Sequence, residues 1–457
     1  MKDQPKITVG IVDGRTEVFG HLNGDFRGAG SGSLTGPFSA KADTGLIVLS
    51  DGIHPRLCCS PLIRLTAEEG SAFRAPPGTN EGAGQTFTLF QVTIGNRFHW
   101  ERAEDQTFQG DLILRLRKDG TLVAINEIPL EDYLVSVISS EMSGAAPIEF
   151  LKAHAILSRS WLLTALERKK RGKQPPVSAG ENLRQDEELV RWYDREEHDL
   201  FDVCADDHCQ RYQCVTKIVS KQAEEAVRET QGKVITYQGE VCDARYSKAC
   251  GGLTDEFNTA WEDKNVPYLE SISDASALHP PITTEAEALA WIRSSPPAYC
   301  NTQDQRLLAR ILPGLDRETR SFFRWRVDCS RRELEEILRQ KSGIDFGTLQ
   351  EIAPLRLGPS GRISRLKIVG SKRRQVVGKE LEIRRWLSRS HLYSSAFVVT
   401  VKRDSRGEAE RFAFQGAGWG HGVGLCQIGA AVMATRGFSA EQILSHYFRG
   451  TDVEKIY

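Results

Sequence analysis

Pro129-Leu-Glu-Asp-Tyr-Leu-Val-Ser-Val-Ile-Ser-Ser-Glu141 is where the chain changes its hydrophobic period. Just before it, Leu112 to Leu116, the turn Lys118-Asp-Gly120 and Leu122 to Ile125 spell a β-hairpin. Within it, Leu130, Leu134, Val137 and Ile138 recur at helical spacing. Pro129 suits a first helical turn, and Glu131 and Asp132 favour the positive end of a helix. A second helix begins near Pro147, carries Ile148, Leu151, Ala155, Leu162 and Leu166 on one face, and runs to the solvated Arg168-Lys-Lys-Arg171. This succession predicts an α+β fold, in which a helical pair is set among mixed β-sheets.

Upstream, residues 1–110 read as a β-rich N-terminal region, with Ile7 to Val12, Leu46 to Leu49 and Thr86 to Ile94 separated by glycine-heavy turns. Residues 111–457 follow, with a polar Cys/His insertion at 172–215 and a helical subdomain at 283–342. Strands return at Val234 to Tyr237 and Val241 to Tyr246, and β pattern resumes from Leu355 to Val401. Ser439-Ala-Glu-Gln442 is a capping box that opens a last short helix, with Gly450 as its stop. A chain of 457 residues calls for roughly two or three structural units. Its 60 basic and 61 acidic residues leave a net charge of −1, so no global field draws nucleic acid or an anionic membrane. A neutral polymer fits that balance. No apolar run is long enough to span a membrane, and no secretory signal is present in the sequence as given.

Four clusters carry the chemistry. Glu141 falls inside the apolar stripe of its helix and at the negative end of the dipole, and both placements disfavour the charged carboxylate, as a general acid near neutrality requires. A frayed helix end, or a buried ion pair with Arg159 on the second helix, would account for the same pattern. Gly416-Ala-Gly-Trp-Gly-His-Gly-Val-Gly-Leu-Cys-Gln427 interleaves five glycines with Trp419 and His421. Glycines admit close backbone approach, Trp419 offers a face for a sugar ring and His421 a proton, whereas the spacing does not match a dinucleotide loop. A packed turn with a satisfied core histidine is the plain alternative. Tyr246-Ser-Lys-Ala-Cys-Gly-Gly-Leu-Thr254 is a strand running into a turn, with several donors in a row. His198, Cys204, His208 and Cys209 supply four borderline-to-soft ligands for a closed structural zinc site, with Cys214 as a possible substitute; a disulfide or free thiols are the other readings.

Taken in order, Leu130-Glu-Asp-Tyr-Leu-x3-Ile138-x2-Glu-Met142, Ala153-x5-Arg159, Tyr246-x4-Gly-Gly-x-Thr254 and Gly420-His-Gly-Val-Gly-x2-Gln-x-Gly-Ala430 resemble the stage II sporulation protein D and amidase-enhancer family. The resemblance implies a lytic transglycosylase that cleaves the MurNAc-GlcNAc bond of peptidoglycan glycan strands, including strands denuded of stem peptides, to give 1,6-anhydro ends. It makes Glu141 the catalytic acid and base, and Arg159, Tyr246, Lys248, Trp419, His421 and Gln427 the substrate-binding residues. It also implies structural zinc on His198, Cys204, His208 and Cys209, no cofactor in catalysis, and a place in the cell envelope. The alternatives are a non-catalytic wall-binding partner that enhances an N-acetylmuramoyl-L-alanine amidase, and a zinc hydrolase. Three departures stand out: Ser143-Gly144 where a proline often follows Glu-Met, Cys250 before the double glycine, and Cys426 where serine is usual.

Overall fold

The computed structural model describes residues 4–28, 31–51, 53–54, 58–67, 85–95, 101–170, 183–185, 187–193, 198–218, 220–314, 316 and 322–457. The expected hairpin lies at the heart of a large, mostly antiparallel sheet. Asp111–Leu116 pairs with Leu122–Pro129, which pairs in turn with Lys6–Arg15 and sets Ile7 opposite Ile128. Strands Glu17–Gly28, Ser31–Asp43, Leu46–Ser50, Cys58–Ser60 and Leu62–Ala67 continue the sheet, and Thr86–Ile94 and Arg102–Gln109 branch from Glu17–Gly28. The boundary expected at residue 110 thus falls within one sheet.

Helix α1 (Leu130–Glu141) leaves this sheet directly, with Pro129 at its entry and no basic residue in its last turn. Leu130, Tyr133, Leu134, Val137 and Ile138 are fully buried. Helix α2 (Ile148–Lys170) and helix α3 (Lys221–Glu229), which Ser220 caps through the Gln222 amide, pack against it. Aromatic rings carry the core across: Phe26 meets Phe87 at 6.2 Å, Phe87 stacks on Phe108 at 5.4 Å, Phe108 meets Tyr212 at 6.1 Å, and Tyr212 stacks on Tyr133 at 5.0 Å. Such ring pairs contribute roughly 0.5–1.5 kcal/mol each beyond the area they bury, so sheet and helix share one core.

A second core collects Trp325, Leu334, Leu338, Phe346, Ile363, Leu366, Ile368, Trp386, Phe397, Phe412 and Phe414. Around it lie strands Leu349–Leu357, Ile363–Gly370 and Arg374–Gly378, and a three-stranded sheet of Arg324–Ser330, Ala409–Ala417 and Phe397–Arg403. The span 283–342 holds the helices Glu285–Arg293, Gln305–Ile311 and Arg331–Ser342, and also the strand Arg324–Ser330, which edge pairing rather than period determines. The described residues of the span 172–215 form a strap between the two cores. Glu188–Val190 runs parallel to Arg374–Gly378, while Val203–Cys204 adds a parallel edge to Lys6–Arg15. Residues 172–182, 186 and 194–197 of this span lie outside the described residues. The capping box at Ser439 and Gln442 forms as expected and opens the helix Ala440–Tyr447. Among the described residues, no helix is long and apolar enough to cross a membrane.

Arg159 finds a partner other than the one its apolar stripe suggested. Its fully buried guanidinium donates to Glu131 Oε1 at 3.0 Å and Oε2 at 2.5 Å, and to the Lys233 carbonyl at 2.8 Å. Glu131 also accepts from Tyr457 Oη at 2.6 Å. This pair rivets the middle of α2 to the first turn of α1, and Arg159 is sealed from any ligand. Arg159→Ala leaves Glu131 buried and uncompensated, so urea unfolding should show a loss of roughly 3–5 kcal/mol; a loss below about 1 kcal/mol would contradict the pairing.

Candidate active site and metal centre

Glu141 ends α1 and is 9% exposed. Its Oε1 accepts two hydrogen bonds, from the Arg211 backbone N–H at 3.0 Å and from Tyr246 Oη at 3.0 Å. Among the described residues its Oε2 receives no donor. Tyr246 is held neutral, its pKa raised well above that of a free phenol by burial and then by the Glu141 charge. Lys248, also 9% exposed, donates to the Glu141 backbone carbonyl at 2.8 Å and pairs with Asp316 at 2.8 Å. It therefore caps the negative end of α1 and is not a free surface cation.

Two other carboxylates approach this corner, and both are engaged. Asp207 pairs with the Arg211 guanidinium, and Asp316 lies between Lys248 and Arg211, 3.7 Å from the latter. Burial pushes the Asp207 carboxyl up, with Arg211 opposing and the Glu141 charge adding to the rise. Arg211, Asp207 and Asp316 gave no signal in the sequence, because the strap carrying the first two and the segment carrying Asp316 meet α1 only in the fold. The strap is fixed there by Tyr133 Oη on Gln210 Oε1 (3.2 Å), Tyr212 Oη on Asn126 Oδ1 (2.5 Å) and the Gln213 N–H on Ser136 Oγ (3.2 Å).

The glycine segment forms the adjoining wall. Tyr246 and Ser247 pair in parallel with Leu425 and Cys426, and Ala249 exchanges backbone hydrogen bonds with Trp419 at 2.7 and 3.2 Å. Its glycines wrap a buried arginine. Arg362 is fully buried beneath them, donating to the Cys250 carbonyl at 3.1 Å and Ser360 Oγ at 2.9 Å. A Cβ at Gly422 would stand 2.2 Å from Arg362 Cζ, and both Gly418 and Gly422 have positive φ, so side chains are excluded twice over.

The expected sugar-binding residues separate into an outer and an inner set. Trp419 stays half-buried and stacks on Tyr393 at 4.3 Å, with Phe322 at 5.0 Å, so this aromatic group borders the surface. His421 turns inward. Its Nδ1 accepts the Val423 N–H at 3.1 Å and the ring also hydrogen-bonds to the Tyr246 backbone. Burial, then the charges of Arg245 and Arg362, bring its pKa down to about 3, so it is a neutral brace and not a proton donor. Gln427 is 2% exposed and its amide meets His154 Nε2 at 3.1 Å, while the His154 ring packs edge-on against Tyr246 at 5.0 Å. Gln427 thus acts on Tyr246 through His154. A surface hollow lined by Glu285, Leu289, Arg293 and Val398 holds none of these residues.

The Cys/His cluster assembles beside this corner. His198, Cys204, His208 and Cys209 present ligand atoms that all lie within 4.8 Å of one another. Cys209 Sγ stands 3.4 Å from His198 Nε2 and 3.5 Å from His208 Nδ1, and Cys204 Sγ 3.8 Å from His208 Nδ1. Two sulfurs and two imidazole nitrogens at these separations fit one tetrahedral zinc ion, which would close the loop that delivers the Arg211 amide. Cys214 takes no part, since its sulfur accepts the Gln109 N–H at 3.3 Å and burial pushes its thiol up to about 11.

Two stretches of the chain match known families. Residues 118–237 match the family described as Stage II sporulation protein, and residues 255–424 match a domain of unknown function, DUF8618. Stage II sporulation protein D of Bacillus amyloliquefaciens is 24% identical over 332 residues, covering 73% of this chain and 76% of that protein. The protein of the same name from Bacillus subtilis is 22% identical over the same shares. The chain is thus similar to stage II sporulation protein D over about three quarters of its length. The link extends to the amidase enhancer of Bacillus subtilis, 25% identical over 50% of this chain but only 32% of that protein. The sporulation-protein match spans Glu141, Arg159 and the Cys/His cluster, whereas Tyr246, Lys248 and Cys250 fall between the two matches.

Two neutral histidines, His154 fully buried and His421 half-buried, give a testable pH dependence. Burial, then Lys248, brings His154 down to about 3, the level reached by His421. An unfolded histidine titrates near 6.5, so between about pH 6.5 and 3 the unfolded chain binds more protons, and stability falls as pH falls. The melting temperature should therefore drop from about pH 6.5 to pH 4, more steeply than in a His154→Gln, His421→Gln double variant. Equal slopes would contradict the neutral assignments.

Proposed function

We propose that this chain acts on peptidoglycan as a lytic transglycosylase with Glu141 as its single acid and base. One observation carries the reading: both donors to Glu141 meet Oε1, and the neighbouring Asp207 and Asp316 are held by Arg211 and Lys248. Oε2 remains to give its proton to the glycosidic oxygen between N-acetylmuramic acid and N-acetylglucosamine. As the C1–O bond breaks, the muramoyl C6 hydroxyl attacks C1 and returns its proton to Glu141, closing the 1,6-anhydro ring without consuming water. Ordinary glycosidases divide these roles between two carboxylates, and here one suffices because the nucleophile belongs to the substrate. General acid and base action supplies about 10² to 10⁴ in rate; Tyr246 fixes the carboxylate, and the Trp419 and Tyr393 rings offer a border for sugars.

The relatives support the coarser part of this reading, a peptidoglycan-related role in the cell envelope. They also favour a second one more directly than they favour the chemistry: the amidase-enhancer similarity suits a wall-binding protein that assists an amidase. The zinc-hydrolase alternative has less support, because four protein ligands leave no open position for water.

Glu141→Gln should melt as wild type yet release at least about 100-fold less anhydro-ended product from denuded glycan strands, by mass spectrometry. Tyr246→Phe should retain activity lowered about tenfold, the value of one positioning hydrogen bond. Undiminished release by the Gln variant ends the catalytic assignment. No product from wild type, with an amidase stimulated equally by both proteins, moves the chain to the second reading.

A further inference from the structure

Cys250, Asp274, Cys300 and Cys426 come from four separate segments and meet in the interior. All four are buried, and one ligand atom from each lies within 4.8 Å of every other. Cys250 Sγ and Cys300 Sγ are 3.8 Å apart. Sulfurs about 2.3 Å from a common tetrahedral centre stand about 1.63 times that distance apart, or about 3.8 Å, whereas a disulfide needs about 2.05 Å. Iron–sulfur clusters require wider ligand sets, because inorganic sulfides separate the irons. Backbone donors are aimed at the sulfurs. The Cys250 N–H donates to Cys426 Sγ at 3.2 Å, the Gly252 N–H donates to Cys250 Sγ at 3.4 Å, and the Gly429 N–H, in the first turn of the helix Gln427–Thr435, also reaches Cys426. Arg324, bonded to the Gly251 carbonyl, supplies positive charge beside Cys250 and Cys300.

The carboxylate is held as a metal-binding carboxylate is held. Asp274 Oδ1 accepts from Tyr447 Oη at 2.6 Å and Oδ2 from the Cys300 N–H at 2.8 Å, which fixes the group and leaves each oxygen a lone pair. Gly429 is required there, since a Cβ would come within 2.2 Å of Asp274 Oδ1. A Cys250–Cys300 disulfide would satisfy two of the four groups and leave a buried thiol and a buried carboxylate; one dication satisfies all four.

We propose that Cys250, Asp274, Cys300 and Cys426 bind a second structural zinc ion, with the thiol protons released to solvent on binding. The ion would clamp the turn after Tyr246 and Lys248 to the strand Leu425–Cys426, the seam on which the glycine wall rests. The inference does not depend on the reaction proposed for Glu141. Elemental analysis of the full chain purified with zinc should return two equivalents. Cys250→Ser with Cys300→Ser should remove one equivalent, and Cys204→Ser with Cys209→Ser the other. Where the first variant fails to fold, cobalt substitution of the wild type decides: sulfur-to-cobalt absorption should correspond to five thiolates, two from the Cys/His cluster and three from this one. A single equivalent lost entirely with Cys204 and Cys209, cobalt absorption matching two thiolates, or a Cys250–Cys300 disulfide found by peptide mass mapping would overturn the proposal.

Discussion

The structure turns on one carboxylate oxygen. Glu141 Oε1 draws an N–H from the strap at Arg211 and an O–H from the strand at Tyr246, segments 70 and 105 residues away along the chain. A buried carboxylate without such donors costs several kcal/mol, so the strap must lie over α1 and the strand must run beside the glycine wall. Other contacts serve that arrangement. Glu131 and Arg159 hold α1 against α2, Lys248 caps the end of α1, and His154 and His421 brace Tyr246 from behind and beside.

Local signals in the sequence carried far. The hairpin at Asp111–Pro129, the start of both long helices and the Ser439 capping box each depend on residues a few positions apart, and all formed as read. The N-terminal boundary was not legible, since alternation along Lys6–Arg15 does not reveal that its partner is Leu122–Pro129. Arg159 illustrates the same gap. Its apolar stripe required a buried acid, yet Glu131 and Glu141 were both available on α1, and only the packing chose Glu131.

The glycine segment's composition suggests an approach for ligand, but the close neighbour is Arg362, about sixty residues upstream in the sequence and invisible to any motif. His421 and Gln427 follow from that inward turn, Gln427 fully enclosed and His421 half-buried, and both support Tyr246. Metal chemistry divides in the same way. His198, Cys204, His208 and Cys209 lie close enough in sequence to announce a site, whereas Cys250, Asp274, Cys300 and Cys426 span 176 positions and converge only in the fold.

In the proposed reaction Glu141 works alone, with the substrate's own hydroxyl as nucleophile. Digestion of denuded glycan strands in heavy-oxygen water tests it most directly. Cleavage with no label in the new muramoyl ends is the outcome this structure leads us to expect. Label at those ends would mean that water is the nucleophile and that a second activating group has been overlooked.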